Sequence, residues 1–263
     1  MNKTLVVPEA ELYYEVRGDG PLIVLVGAPM DADAFAPLAE VLATDYTVLT
    51  TDPRGVKRSK LNPGGTSKPE QRADDLARLI RHVDRGPAVA LGSSGGAVSV
   101  LALAQVHPDT VSTVIAHEPP LDRLVPDGDE LLARSEKLMA DYLAGDVTGA
   151  WQQFFAVANI PVPDEVVQAI FGGERDPEQV AAERFWFDHE MRETITWMPD
   201  FGKLRDANVV VGIGEQSVGQ LCDRTSIALA NRLGIEPTRF PGDHTGFVDQ
   251  PDAFAKALVQ TLG

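Results

Sequence analysis

Apolar and polar residues follow two different periods along the chain, and these predict strands and helices in turn. Leu22–Val26 is a continuous apolar run, typical of a strand buried on both faces of a sheet. Lys68–Val83 instead places Leu76, Leu79 and Ile80 on one face of a helix. Further strands are predicted at Leu12–Val16, Tyr46–Thr51, Pro87–Leu91, Val111–Ala116, Val209–Ile213 and Thr238–Phe240, and further helices at Asp31–Thr44, Gly95–Val106, Gly219–Leu233 and Pro251–Leu262. This alternation indicates an α/β protein whose mostly parallel central sheet is flanked by helices.

The strand signal disappears between about Leu121 and Asp200, where the pattern is helical. Helices are predicted there at Leu131–Leu143, Trp151–Val157, Asp164–Phe171 and Pro177–Met191. We interpret residues 121–200 as a helical cap inserted into a core domain that consists of residues 1–120 and 201–263. The 263 residues suffice for one large core with such an insertion.

The charge balance excludes some classes of partner. The chain has 23 Lys and Arg against 39 Asp and Glu, a net charge of −16, so nucleic acid and anionic membrane surfaces would be repelled. The lone Cys222 cannot form an intramolecular disulfide, the N-terminal apolar stretch is too short for a signal peptide, and no apolar run is long enough to span a membrane. We expect a cytoplasmic protein, monomeric or homodimeric, with a small molecule as its partner.

A serine lies between a predicted strand and a predicted helix, in Gly92-Ser93-Ser94-Gly95-Gly96. In this context the pattern G-x-S-x-G forms a sharp turn that exposes the central serine, and the following helix start directs N–H groups at developing negative charge. Ser94 is the candidate nucleophile, and the Gly95 N–H is a candidate oxyanion donor. A turn that only packs closely or binds phosphate is the alternative, but the lysine of a P-loop and a G-x-G-x-x-G pattern are both missing.

A base is expected in the loop after the last strand, because proteins with this motif carry serine, acid and histidine in that order along the chain. Of the five histidines only His244 fits, in Pro241-Gly242-Asp243-His244. The alternative for His244 is a surface loop histidine. His189-Glu190 is not followed by a second histidine at the HExxH spacing, so we expect no metal site there and no cofactor.

The acid departs from the commonest arrangement. That arrangement places an aspartate just after the penultimate strand, but Ser217 occupies the position 27 residues before His244. Glu118 lies at the end of the strand after the nucleophile helix, where catalytic groups of open α/β sheets gather. We favour Glu118 as the acid, with Glu215 or Asp223 as alternatives, and a site without a third member also remains open.

Three motifs together resemble a known family: Gly92-Ser93-Ser94-Gly95-Gly96, His117-Glu118-Pro119-Pro120 and Pro241-Gly242-Asp243-His244. The whole chain resembles the α/β-hydrolase superfamily, and this trio is similar to its zearalenone hydrolase (lactonase) branch. The resemblance implies that Glu118 supplies the acid. It covers about residues 12–120 and 205–262, and it supports the triad better than the substrate because the cap has no specific match.

A second oxyanion donor is expected in the loop after Leu22–Val26. The loop reads Gly27-Ala28-Pro29-Met30, where the superfamily more often shows His-Gly, and the N–H of Ala28, or of Gly27, is the candidate. The predicted cap is rich in aromatic residues, which form either its own core or an apolar pocket. Met30 and Trp186 are our candidates for residues that line the substrate pocket.

The residues together predict a serine hydrolase that cleaves an ester or lactone of a small, largely apolar substrate. C–C bond hydrolysis or perhydrolysis on the same triad is an alternative. A ligand receptor built on a hydrolase fold, without turnover, is another.

Overall fold

Within residues 3–263, which the computed structural model describes, one sheet forms the centre of the fold. Its strands are β1 (Lys3–Val7), β2 (Ala10–Arg17), β3 (Leu22–Val26), β4 (Thr47–Thr51), β5 (Lys60–Leu61), β6 (Ala88–Ser93), β7 (Val111–His117), β8 (Val209–Gly214) and β9 (Thr238–Phe240). The order across the sheet is β1-β2-β4-β3-β6-β7-β8-β9, and β5 pairs with β2. The pairs from β4 to β9 are parallel, whereas β2 is antiparallel to β1, β4 and β5. The sheet is therefore mixed.

The helices lie on both faces of the sheet and above its carboxyl edge. They are α1 (Ala36–Leu42), α2 (Pro69–Val83), α3 (Gly95–Val106), α4 (Gly128–Leu143), α5 (Val147–Ala158), α6 (Asp164–Phe171), α7 (Pro177–Phe185), α8 (Met191–Ile195), α9 (Phe201–Arg205), α10 (Leu221–Leu233), α11 (Gly246–Asp249) and α12 (Pro251–Leu262). Between β7 and β8 the chain is helical throughout its regular elements. Among residues 3–263, no helix combines the length and hydrophobicity that a membrane span needs.

The two faces of the sheet bury separate apolar cores. On one face, α2, α3 and α10 cover the sheet, and the first ten residues of α3 are all buried. On the other face, α1 and α12 pack Leu38 and Phe254 against the β3 residues Ile23 and Leu25. Every residue of β3 is buried, as its unbroken apolar run predicts. A third cluster holds the helices between β7 and β8 together.

The structure confirms the predicted α/β class and corrects several local details. The strand β1 was not predicted, because its apolar run Leu5–Val7 is only three residues long and its first four residues lie at the edge of the sheet without being fully buried. The helix predicted at Asp31–Thr44 begins instead as a 3₁₀ turn at Ala32–Phe35. The helix predicted at Pro177–Met191 changes to a π-helical turn at Trp186–Glu190. Such turns often occur at functional sites.

A buried cation joins α2 to the helices between β7 and β8. The Arg72 guanidinium donates hydrogen bonds to the Ser99 hydroxyl at 2.8 Å and to the Thr194 hydroxyl at 2.9 Å. Its Nη1 lies 3.8 Å from the Glu190 carboxylate, which also accepts a hydrogen bond from the Ser67 hydroxyl. Both charged side chains are almost fully buried. The ion pair thus joins α2 to the π-helical turn, and the hydrogen bond to Ser99 connects both to α3.

We predict that Arg72→Leu lowers the free energy of unfolding by about 3–5 kcal/mol, because the buried Glu190 carboxylate would lose its cation. Urea unfolding followed by circular dichroism measures the change. Arg81→Leu on the same helix is the control, since Arg81 forms an exposed ion pair with Asp109 and should contribute less than about 1 kcal/mol. Equal losses in the two variants would contradict the prediction. Arg72→Leu combined with Glu190→Leu should recover part of the loss.

Candidate active site

The backbone at Ser94 has the strained conformation of a nucleophile elbow. Its φ of 57° and ψ of −126° lie outside the usual regions for an L-residue, between the end of β6 and the start of α3. Side chains would not fit beside it: a Cβ on Gly92 would lie 2.2 Å from the Gly96 carbonyl oxygen, and one on Gly96 would lie 2.2 Å from that of Val26. The glycines therefore permit the close approach that lifts Ser94 above the strand ends.

Two backbone N–H groups lie beside the elbow. A Cβ on Gly95 would lie 2.5 Å from the Ala28 carbonyl oxygen, so the loop after β3 passes directly against the start of α3. Ala28 and Gly95 line the same cavity as Ser94. Among residues 3–263, neither N–H donates a hydrogen bond to a backbone carbonyl of a turn, a loop or a helix cap. Both therefore remain candidate donors to an oxyanion.

The imidazole of His244 faces the same cavity and meets Glu118 on its other side. His244 Nδ1 lies 2.5 Å from Glu118 Oε2, and Glu118 Oε1 accepts a hydrogen bond of 2.8 Å from the Gly214 N–H. Glu118 is fully buried, and the His244 side chain is about one quarter exposed. The carboxylate holds the proton of the imidazole on Nδ1, which leaves Nε2 free to accept one. Among residues 3–263 no hydrogen bond joins Ser94 to His244, although both line the cavity. In free enzymes the serine and the histidine of such a pair are often too far apart for a hydrogen bond, which forms when substrate binds.

Several neighbours set the charge of Glu118. Burial raises the pKa of its carboxyl, but the hydrogen bond from His244, the charges of His244 and His117, and the nearby Ser217 hydroxyl outweigh burial and lower the pKa to about 2. Ser217 lowers the pKa of Glu118 through the closeness of its dipole, because its fully buried hydroxyl takes part in no hydrogen bond among residues 3–263. Glu118 is therefore ionised at neutral pH, as an acid that stabilises an imidazolium must be.

The structure separates the alternative acids from His244. Glu215 is exposed, and Asp223 instead accepts a hydrogen bond from the Gly219 N–H and pairs with Arg239. Glu118 reaches His244 from the end of β7 because its N–H binds the Gly212 carbonyl of β8, which aligns the turn with the loop that carries Ser217. Of the three carboxyl groups considered, only Glu118 contacts the imidazole.

The other histidines have local partners. His82 bonds the Tyr14 hydroxyl, His107 pairs with Asp74, and His189 lies 3.5 Å from Asp188. His117 is fully buried behind His244, where burial, together with the charge of His244, lowers its pKa to about 4 and so keeps it neutral. No cluster of three or more His, Cys, Asp or Glu residues among residues 3–263 is arranged to hold a metal ion.

A cavity of about 320 Å³ lies above the elbow, between the sheet edge and the helices that follow β7. Its wall is mainly apolar and includes Phe154, Phe155, Val157, Ile160, Trp186, Met191, Ile195 and Leu221. Trp186 lies in this wall and also borders a second cavity. Met30 borders that second cavity, together with residues of α7, and does not line the cavity that contains Ser94. Of our two pocket candidates, Trp186 therefore lines the cavity that contains Ser94, and Met30 does not.

The cavity also contains polar residues that the sequence analysis did not select. Asp122 and Ser135 line it, and both are buried. Asp122 follows the motif of Glu118 by four residues, but no pattern in the sequence distinguishes it from a surface aspartate. Cys222 borders the cavity too, and burial raises the pKa of its thiol, so the thiol is a poor nucleophile at neutral pH.

Asp122 makes the stability of the protein depend on pH. Burial, together with the charge of Asp127, raises the pKa of its carboxyl from 3.8 to about 7, against the opposing charge of Arg224. The unfolded chain releases this proton near pH 3.8 and the folded protein only near pH 7. The wild type therefore loses stability as the pH rises between these values.

We predict that Asp122→Asn stabilises the fold at pH 8 by up to about 4 kcal/mol relative to the wild type, and that the gain disappears near pH 4. Urea unfolding at four pH values between 4 and 8 measures it. Asp141→Asn is the control, because hydrogen bonding to Lys137 lowers the pKa of Asp141 and no gain should develop as the pH rises. A difference between Asp122→Asn and wild type that does not change with pH would contradict the prediction.

Comparisons with known proteins identify the family of this fold. A family model described as the α/β hydrolase fold matches residues 20–156. An uncharacterized hydrolase of Bacillus subtilis, YraK, is 33% identical over 99% of this chain and 96% of its own length. A zearalenone hydrolase of Bionectria ochroleuca is 27% identical over 95% of this chain and 92% of its own length. The solved structure of an α/β hydrolase from Sphaerobacter thermophilus superimposes with a TM-score of 0.72 at 26% identity, and covers 99% of this chain and all of the other. The chain therefore belongs to the α/β-hydrolase fold family.

Proposed function

We propose that this hydrolase cleaves a carboxylic ester or lactone through Ser94, His244 and Glu118. The observation that carries the proposal is the geometry at one cavity: a strained serine, a histidine whose Nδ1 is bound by a buried carboxylate, and two unoccupied N–H donors. Each part is needed for acyl transfer through an acyl-enzyme. A receptor would have no use for a serine held in strain or for a carboxylate kept ionised beside a histidine.

The reaction follows from the positions of these groups. Ser94 Oγ attacks the substrate carbonyl while His244 Nε2 takes its proton, and the negative oxygen is bound by the N–H groups of Ala28 and Gly95. Collapse of the tetrahedral intermediate breaks the bond to the leaving alkoxide, which receives the proton from His244. Water, activated by the same imidazole, then hydrolyses the acyl-enzyme and restores Ser94. Glu118 stabilises the imidazolium in both halves of the reaction.

The cavity supports a small, largely apolar substrate. Its volume of about 320 Å³ and its aromatic and aliphatic wall fit a neutral molecule better than an anion, and the net charge of −16 disfavours anions further. Trp186 offers an indole face in this wall. The zearalenone hydrolases among the relatives make a lactone a candidate alongside linear esters.

We predict that Ser94→Ala lowers kcat/KM for p-nitrophenyl esters by at least about 10³-fold, because the nucleophile is removed. Glu118→Gln should lower kcat by about 10²- to 10⁴-fold with little change in KM, because an amide no longer favours the imidazolium. Steady-state assays of p-nitrophenyl esters, and then of lactones, measure both effects. Glu215→Gln is the matched control and should stay within about twofold of wild type, since Glu215 is exposed.

Two results would overturn the proposal. Full esterase activity in Ser94→Ala would exclude the serine as nucleophile, and a larger loss in Glu215→Gln than in Glu118→Gln would exclude the assigned acid. Turnover of a β-diketone in place of every ester and lactone would favour C–C bond hydrolysis on the same residues. Tight ligand binding with no turnover at all would favour a receptor.

A further inference from the structure

Two buried polar groups in the cavity wall have no partner in the protein. Asp122 is 2% exposed and Ser135 is 1% exposed, yet both line the cavity that contains Ser94. Among the hydrogen bonds of residues 3–263, Asp122 Oδ1 and Ser135 Oγ take part in none. Buried polar groups are nearly always hydrogen-bonded, because leaving one unpaired costs about 1–3 kcal/mol. Two such groups in one wall therefore require an explanation.

Asp122 differs from the other buried carboxyl groups of residues 3–263. Each of the other five meets a cation or a histidine: Asp52 with Arg58, Asp75 with Arg54, Glu118 with His244, Glu190 with Arg72, and Asp223 with Arg239. The charge of Arg224 acts on Asp122, but the Arg224 guanidinium donates its hydrogen bond to Asp127 instead. The fold thus pairs its buried carboxyl groups everywhere except at this cavity.

The two groups belong to the substrate cavity and not to a separate site. The turn Asp122–Leu124 packs against α4, which carries Ser135, and against α10, which contributes Leu221 and Cys222 to the cavity wall. The charges of both Glu118 and Asp122 act on the Cys222 thiol, so Cys222 lies close to both carboxyl groups. The unpaired groups therefore face the same space as the proposed catalytic residues.

We propose that Asp122 and Ser135 bind a hydroxyl group of the substrate, so that this protein prefers hydroxylated apolar esters or lactones over their unsubstituted analogues. The inference rests on the proposed function of the cavity. A hydroxyl donates to one oxygen and accepts from another, which matches a carboxyl group and a serine hydroxyl in the wall of one cavity. A substrate carboxylate would have to lose its water in a mainly apolar cavity, and Asp122 would repel it wherever Asp122 is ionised. An ammonium group would have to lose its water in a cavity whose remaining wall is apolar, and Ser135 could not accept all its remaining protons.

The preference should be measurable because a site with unpaired buried groups discriminates against ligands that leave them unpaired. One hydroxyl held by two groups should raise kcat/KM about 10- to 100-fold over the unsubstituted analogue. Removal of either protein group should reduce this ratio, because the substrate hydroxyl would then lose one of its two partners.

The test compares matched substrates. One series consists of p-nitrophenyl esters of phenylalkanoic acids of increasing chain length, each unsubstituted, with a phenolic hydroxyl, or with an aminomethyl group. A second series places the same groups on the alcohol side of phenylalkyl acetates. In at least one series the wild type should favour the hydroxylated member at least about tenfold, and Asp122→Ala and Ser135→Ala should each reduce that ratio to less than about threefold. Asp141→Asn, which changes a carboxyl of α4 that pairs with Lys137 outside the cavity, should leave the ratio unchanged.

Each other outcome has a defined meaning. No hydroxyl preference in either series, a preference that persists in both alanine variants, or a stronger preference for the aminomethyl member would overturn the inference while the proposed function stands. If the wild type turns over none of the esters, the proposed function fails, and the inference is then decided by binding. Tryptophan fluorescence titrations of Ser94→Ala should still show tighter binding of hydroxylated than of unsubstituted ester, and equal dissociation constants would overturn it.

Discussion

The hydrogen bond between Glu118 and His244 is the constraint on which the rest of the site depends, because it joins side chains 126 residues apart in the chain. It forms only if β7 and β8 are paired in register and the loop after β9 folds back over their ends. The Gly214 N–H and the Gly212 carbonyl fix the Glu118 turn from β8. The site is thus assembled by the sheet itself and not by the helices above it.

This arrangement also accounts for the unusual position of the proposed acid. The carboxyl ends of neighbouring parallel strands lie side by side, so an acid at the end of β7 can occupy the space that an acid after β8 would fill. Ser217 then occupies the usual position, where a second carboxylate would repel Glu118. A hydroxyl there adds a favourable dipole to Glu118 and no charge.

The sequence predicted what depends on short stretches of chain. The elbow around Ser94 is encoded by glycines within five residues, and the buried strands by apolar runs such as Leu22–Val26. The selection of Glu118 needed two further observations, namely its place at the end of a strand and the resemblance of the surrounding motif to a known family. Asp122, Ser135 and the position of Met30 could not be predicted, because each depends on how the helices between β7 and β8 pack over the sheet, and no short pattern encodes that packing.

The placement of charge connects stability to the cavity. The chain carries 39 acidic residues, and burying a carboxylate is costly unless it is paired, so its folded structure pairs Glu190 with Arg72 where the helices between β7 and β8 meet α2. Asp122 lacks such a partner and keeps its proton to about pH 7, at a cost to the stability of the fold that grows as the pH rises from 3.8 to about 7. An apolar residue in its place would remove that cost. Proteins often carry unfavourable groups where the site needs them, and the one unpaired buried carboxyl of residues 3–263 lies in the wall of the cavity that contains Ser94. The energetics of the fold and the proposed recognition of a hydroxyl thus point to the same side chain.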